Sequence, residues 1–346
     1  MSTSADAYAS AGVNLDAADS AKMRMRDAAR ATHGPEVLAG LGGFGGLFAL
    51  NALNLREPVL VSSIDGVGTK LKIAFSLNRH RSIGADLVAH CVNDILVCGA
   101  RPLFFLDYLA LGAMDGDQAV EVVAGVAEGC RAAGCALIGG ETASMPGFYA
   151  PGEYDLAGCI VGVVERERML TGAAIQAGDA VIGLPSAGLH TNGYSLARDV
   201  FADDDLAAFL PELGRTLGDE LLQPHRSYLL TVRPLLDDGL ITGMAHITGG
   251  GLIDNLPRVV PEHLAAVLDA RTWDMPPIFR VIQARGGVAW SEMARVFNLG
   301  VGFVLCCRPT DLPAVLERSR DAGARHVGNI RDRHDAQPRV TVEGLA

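Results

Sequence analysis

Apolar residues in this chain fall into short runs divided by glycine, proline and acidic turns. "PVLVSSID" (58–65) is β-branched and opened by a proline, which predicts a strand. "SIGADLVAHCVNDILVCGA" (82–100) reads as a buried helix, and "PLFFLDYLAL" (102–111) as a strand. "DGDQAVEVVAGVAEGCRAAG" (115–134) has an acidic first turn and a glycine stop, the signature of a helix. "CALIGG" (135–140) predicts a short strand, and "YDLAGCIVGVVE" (154–165) a longer one. "AKMRMRDAARATHG" (21–34) is read as a loose arm or a helix, and "HGPEVLA" (33–39) as a helix.

The pattern breaks into turn residues at "RERMLTGAAIQAGD" (166–179), which sets a domain boundary there, with domains at 1–168 and 169–346. Beyond it, strands are predicted at "AVIGLPS", "HLAAVLDA", "VGFVLCCR", "HVGNIRD" and "RVTVEG". Helices are predicted at "NGYSLARDVF", "HRSYLLTVRPLLDDG", after "TGGG", and at "DLPAVLERSRDAGA". Strands and helices alternate at similar spacing in both halves, so two α/β domains are expected.

Composition narrows the function classes. The chain has 346 residues, 49% of them hydrophobic, and a net charge of −11, so it can bury full cores and has no basic footprint for nucleic acid. Any anionic ligand must be held by backbone N–H groups, single cations or a metal. "MSTSADAYAS" lacks the form of a signal peptide, and no apolar run is long enough to span a membrane. The seven cysteines form no C-x-x-C pair, which favours free thiols in a reducing cytoplasm.

Candidate chemistry sits at glycine-marked turns. "GLGGFGG" (40–46) matches G-x-G-x-x-G at Gly40, Gly42 and Gly45, but no strand precedes it. A loop closing over phosphates, using Gly42, Gly43 and Gly45, stands beside a plain turn as its reading. "SIDGVGTK" (63–70) fails the Walker pattern, yet it offers Ser63, Asp65, Thr69 and Lys70 at a strand end. Asp65 is a hard oxygen ligand suited to Mg²⁺, and Lys70 a point charge for phosphate; an Asp-Gly turn with a solvated lysine is the alternative. Asp94 lies in an otherwise apolar helix, where a carboxylate needs a cation or a cap. "GGETASMPG" puts Gly139, Gly140, Glu141 and Thr142 at another strand end. Asp65, Asp94 and Glu141 together could assemble a Mg²⁺–nucleotide site.

In the second half, "SAGLHTNG" (186–193) leads into a helix and offers Ser186, Gly188, His190, Thr191 and Asn192 as a phosphate cradle. "AHITGGG" (245–251) repeats the logic with Gly249, Gly250 and Gly251. Each turn carries one histidine, His190 and His246, read either as structural hydrogen-bonders or as proton carriers.

These segments, in this order, resemble the phosphoribosylformylglycinamidine cyclo-ligases, also called aminoimidazole ribonucleotide synthetases. The likeness runs from "YASAGVN" through "GLGGFGGLFAL", "SIDGVGTK", "VNDIL", "GGETASMPG", "GLHTNGYSL" and "AHITGGG" to "FNLGVGF", nearly the whole chain. It implies two α/β domains in a cytoplasmic homodimer whose N-terminal sheets pack across the subunit interface. It implies ATP and Mg²⁺ as cofactors and a ribonucleotide as substrate, with no nucleic-acid or membrane partner. ATP would phosphorylate a formamide oxygen, a neighbouring nitrogen would close the imidazole ring, and phosphate would leave. Asp65 and Asp94 match metal- and nucleotide-binding aspartates of related selenophosphate synthetases and thiamine-monophosphate kinases. Those relatives carry an aspartate where His246 stands, which frees position 246 for substrate or proton chemistry. The catalytic set implied is Lys70 on phosphate with His190 or His246 moving protons, His190 placed first. A selenophosphate synthetase is disfavoured because no cysteine precedes Cys91. A small-molecule kinase, the amidotransferase-coupled synthetase of this fold and a non-catalytic maturation protein are the other readings.

Overall fold

The computed structural model describes residues 15–39, 43–112, 115–334 and 337–345. The chain divides into two compact units. One contains the residues up to Ile95 and Arg101–Arg166; the other contains Leu96–Ala100 and the residues from Glu167 onward.

The first unit is a four-stranded mixed sheet in the order β1-β4-β2-β3, formed by β1 (Pro58–Gly66), β2 (Arg101–Leu111), β3 (Ala136–Ser144) and β4 (Tyr154–Glu165). β4 runs antiparallel to β1 and β2, and β2 runs parallel to β3. Its helices are α1 (Leu15–Arg30), α2 (Leu71–Leu77), α3 (Arg81–Leu96) and α4 (Gly116–Ala133). Ala21, Met25 and Ala29 repeat every four residues on the buried stripe of α1, which therefore forms a packed helix and not a loose arm. Asp115 caps α4 by accepting from the amides of Asp117 and Gln118, and Gly134 ends it in the left-handed region.

Alternation along β1 and β2 gives the sheet two different faces. Phe105, Leu109 and Ile160 face the buried side. Leu60, Ile64 and Tyr108 stay exposed, with Ile64 at 73%. Two readings need correction. Residues 33–39 form turns with a single bridge between Val37 and Phe48 and no helix, as expected of a segment holding Gly34 and Pro35. The strand at 135–140 extends to Ser144, because parallel pairing to β2 carries it past its glycines.

The second unit is a six-stranded sheet in the order β12-β9-β11-β5-β10-β8, with a small hairpin β6 (Phe209–Leu210) and β7 (Arg215–Thr216) beside it. The sheet strands are β5 (Ala180–Pro185), β8 (Gly243–His246), β9 (Leu264–Asp269), β10 (Val301–Cys307), β11 (Arg325–Asp332) and β12 (Val340–Glu343). All of β10 is buried, which explains its unbroken apolar run. Val181, Leu252, Leu256, Ala266 and Val304 belong to one core cluster of this unit. Among the described residues no helix is long and apolar enough to cross a membrane.

Candidate functional site

The first unit gathers acids on the buried side of its sheet. Asp65 ends β1 and accepts from the amide of Gly66 at 2.7 Å. His90 and Asp94 lie one turn apart on α3, so both side chains meet the same strand end. His90 Nε2 is 2.8 Å from Asp65 Oδ2 and 3.8 Å from Asp94 Oδ2, and Ser63 donates to Asp94 at 3.0 Å. Burial opposes a charge on His90, but the hydrogen bond to Asp65 and the charges of Asp94, Asp65 and Asp86 outweigh it and hold its pKa above the ordinary value. Burial would raise the Asp65 pKa, but His90 and the Gly66 amide together hold it below the ordinary carboxylate value.

Lys70 lies in the interior. Its Nζ lies 2.6 Å from Asp86 Oδ2, and both side chains are fully buried. In this structure its charge is directed at Asp86 in the interior. Thr69 beside it is exposed.

A second locus opens at the β3 edge. A cavity of about 650 Å³ is lined by Gly43, Phe44, Gly45 and Gly46, by Gly139, Gly140, Glu141 and Thr142, by Lys22 and Arg26 of α1, and by Asp107. The glycine loop at 43–46 thus meets the glycines of β3, and Phe44 is fully exposed beside them. Gly42 lies outside the described residues.

Asp65 pairs with Gly158, Gly158 with Asp107, and Asp107 with Gly140. Paired residues share a face, so Asp65 and Asp107 point the same way, two strands or about 10 Å apart. Gly158 between them has no room for a side chain, since a Cβ there would lie 2.2 Å from Phe105. Burial pushes the Asp107 carboxyl up to about 7. Glu141 pairs with Tyr108 and projects to the opposite face, so it does not join Asp65 and Asp94 as a third metal ligand.

The second unit brings its two glycine turns together. A Cβ on Gly249 would lie 3.3 Å from Asn192 Oδ1. Each turn is held by a buried asparagine. Asn298 Nδ2 donates to the carbonyls of Gly188 and Leu189, and its Oδ1 accepts from Ser186 at 2.8 Å. Asn255 Nδ2 donates to the carbonyls of Gly251, Gly249 and Thr248. The Ser186 hydroxyl is therefore tied into its own turn. Gly250 starts the next helix at φ 95°.

Between the turns lies a buried imidazole cluster. His190 adopts φ 64°, unusual for a residue with a Cβ, and its Nε2 accepts from the amide of Ala187 at 3.0 Å. His190 stacks on His225 with centroids 4.1 Å apart, and His225 Nε2 lies 3.1 Å from His246 Nε2. Gly302 leaves space for this packing, because a Cβ there would lie 2.5 Å from His190 Cε1. The accepted N–H occupies the lone pair of His190 Nε2 and puts the ring proton on Nδ1. In that tautomer His190 has no lone pair left for a base. Sequence reading missed His90, Asp107, His225, Asn255 and Asn298. Two of them carried a clue: His90 and Asp107 are polar residues within apolar runs, and His90 also lies one helical turn before Asp94.

Residues 50–164 match the family model "AIR synthase related protein, N-terminal domain", and residues 176–341 match "AIR synthase related protein, C-terminal domain". The chain is 54% identical over 318 residues to phosphoribosylformylglycinamidine cyclo-ligase of Desulfitobacterium hafniense (strain DSM 10664 / DCB-2), covering 92% of this chain and 94% of that one. Its fold is similar to the crystal structure of thiamine-monophosphate kinase from Stenotrophomonas maltophilia K279a, with a TM-score of 0.69, 21% identity and 93% and 97% of the two chains covered. It is also similar to hydrogenase maturation protein HypE in complex with ATP, with a TM-score of 0.66, 19% identity and 91% and 88% covered.

Proposed function

The chain belongs to the phosphoribosylformylglycinamidine cyclo-ligase family, and on that premise we propose how its own residues carry the reaction. It is an ATP-dependent ligase that closes a ring C–N bond, converting formylglycinamidine ribonucleotide to aminoimidazole ribonucleotide in purine biosynthesis.

In our reading, residues 1–168 bind ATP and residues 169–346 bind the ribonucleotide, in the cytoplasm. The adenine nucleotide takes the cavity between Gly43–Gly46 and Gly139–Thr142, where Lys22 and Arg26 supply the cations. Asp65 and Asp94 would hold Mg²⁺ in place of their contacts to His90. Their carboxylates converge on one nitrogen and Ser63 stands beside them, a hard-oxygen set suited to an ion that keeps several waters. When bound, Mg²⁺ neutralises charge on the phosphoryl oxygens. The exposed Leu60, Ile64 and Tyr108 form an apolar sheet face suited to a second copy of the chain, which supports a homodimer.

The 5′-phosphate of the ribonucleotide is held by the turn at 186–193 with Thr191 and Asn192, and Gly249–Gly251 close the other side. ATP phosphorylates the formamide oxygen, and the neighbouring nitrogen attacks the same carbon as phosphate leaves. His246 accepts the proton from the attacking nitrogen at Nδ1, the nitrogen not engaged with His225. The observation that carries this reading is the meeting of two clamped glycine turns around a buried imidazole cluster. Incubation with ATP, Mg²⁺ and formylglycinamidine ribonucleotide tests it. Aminoimidazole ribonucleotide, ADP and phosphate are the expected products; a product that retains the phosphoryl group would mark a kinase instead.

A further inference from the structure

His225 has no task in the scheme above, yet it is the centre of the imidazole cluster. It is 5% exposed, enters from the segment before the helix Leu229–Asp237, and touches both neighbours. One face stacks on His190. Its Nδ1 lies 3.2 Å from Thr191 Oγ1, and its Nε2 lies 3.1 Å from His246 Nε2. Two imidazole nitrogens at that distance hold one proton between them, because two lone pairs or two protons would repel. A metal shared by the three rings does not fit. His190 Nε2 already accepts the Ala187 amide, so neither of its nitrogens has a lone pair to give.

We propose that His225, backed by Thr191, is a positioning residue that sets the tautomer of His246 and takes over the proton that His246 collects. This rests on the reading of His246 as the proton acceptor. The bonds from His225 to Thr191 and to His246 allow two directions. If Thr191 Oγ1 accepts from His225 Nδ1–H, His225 Nε2 has a lone pair and accepts from His246 Nε2–H. His246 Nδ1 is then left with a lone pair, the state a base requires. In the opposite direction His246 carries its proton on Nδ1 and cannot act. In the working direction, the substrate N–H bond breaks as an N–H bond forms at His246 Nδ1. The His246 Nε2–H bond then breaks as one forms at His225 Nε2. No electrons are gained or lost; the substrate nitrogen gives up one proton and the positive charge rests on His225. His225 keeps its Nδ1–H on Thr191, so its imidazolium has a partner at each nitrogen.

His225→Phe keeps the stack on His190 but carries no proton. His225→Gln keeps a hydrogen-bonding group but cannot titrate, and it serves as the test if the Phe variant fails to fold. Steady-state kinetics in H₂O and D₂O and ¹⁵N NMR of the histidine rings read the outcome. The expected result is a fall in kcat of roughly 10- to 100-fold, at or below the range of a direct general base, with substrate KM changed less than about twofold. The solvent deuterium isotope effect on kcat rises, and the His246 resonances move to the other tautomer. Wild-type kcat and isotope effect in the His225 variants, beside a slow His246→Gln, would overturn this inference alone. So would a slower kcat with the isotope effect and His246 resonances unchanged, which is a structural effect. Wild-type kcat in His246→Gln would overturn the reading beneath it and this inference with it.

Discussion

Asp107→Asn isolates the energetic consequence of a carboxyl buried beside the nucleotide cavity. Asp107 sits in β2 against Gly140, where an added Cβ would come within 2.2 Å of its Oδ1. Burial pushes its pKa from 3.8 to about 7. The folded protein therefore keeps a proton that the unfolded chain has lost, throughout the interval between those two values. The sign follows: stability from this group is fully present below the unfolded value, falls as pH rises, and levels off above the folded value. The slope is about 1.4 kcal/mol per pH unit within the window. Between pH 5 and pH 8 the folded first unit should lose roughly 2.5 kcal/mol through this one group. Asparagine is nearly isosteric and does not ionise, so the variant should lose none of it. The difference between the two proteins should thus change by that amount across the range, whatever its value at pH 5. Urea-dependent hydrogen exchange of β2 and β3 amides reads this directly, because it reports the unit that contains Asp107. Parallel curves for the two proteins from pH 5 to pH 8 would refute the reasoning and place the carboxylate in contact with water.

Asp94→Asn should abolish ATP turnover at any Mg²⁺ concentration while leaving the melting temperature close to wild type; unchanged turnover across a Mg²⁺ titration would count against the metal assignment. Lys70→Met should destabilise the first unit by roughly 3–5 kcal/mol, because it leaves Asp86 buried without its cation, and pairing it with Asp86→Leu should restore much of that loss. A stable but inactive Lys70→Met would return Lys70 to phosphate binding.

Most of the fold was legible because its determinants are local. β4 was read at its full length from "YDLAGCIVGVVE", where apolar residues alternate against a half-open face and then run on. α4 announced both ends, with a capping aspartate and a left-handed glycine. Residues 33–39 show the opposite case. Their apolar spacing suits a helix, yet Gly34 and Pro35 favour turns, and Val37 bridges to Phe48 across the glycine loop. Sequence spacing carries no record of that partner.

The site divides along the same line. Glycine turns at 186–193 and 249–251 advertise themselves, because positive φ and close backbone approach demand particular residues. The groups that set their chemistry do not. Lys70 reads as a phosphate contact until Asp86, sixteen positions on, turns out to meet it in the core. Asp65 and Asp107 share a face because each pairs with Gly158 on the strand between them, a relation that strand order creates and neither segment contains. His225 is separated from Thr191 by 34 positions and from His246 by 21, yet it hydrogen-bonds to both. A buried polar group is tolerated only with partners, and those partners come from wherever the topology returns the chain. The residues whose roles local sequence misjudged or left unassigned are therefore the ones whose surroundings are made by the fold, and these are the residues on which the chemistry proposed here depends.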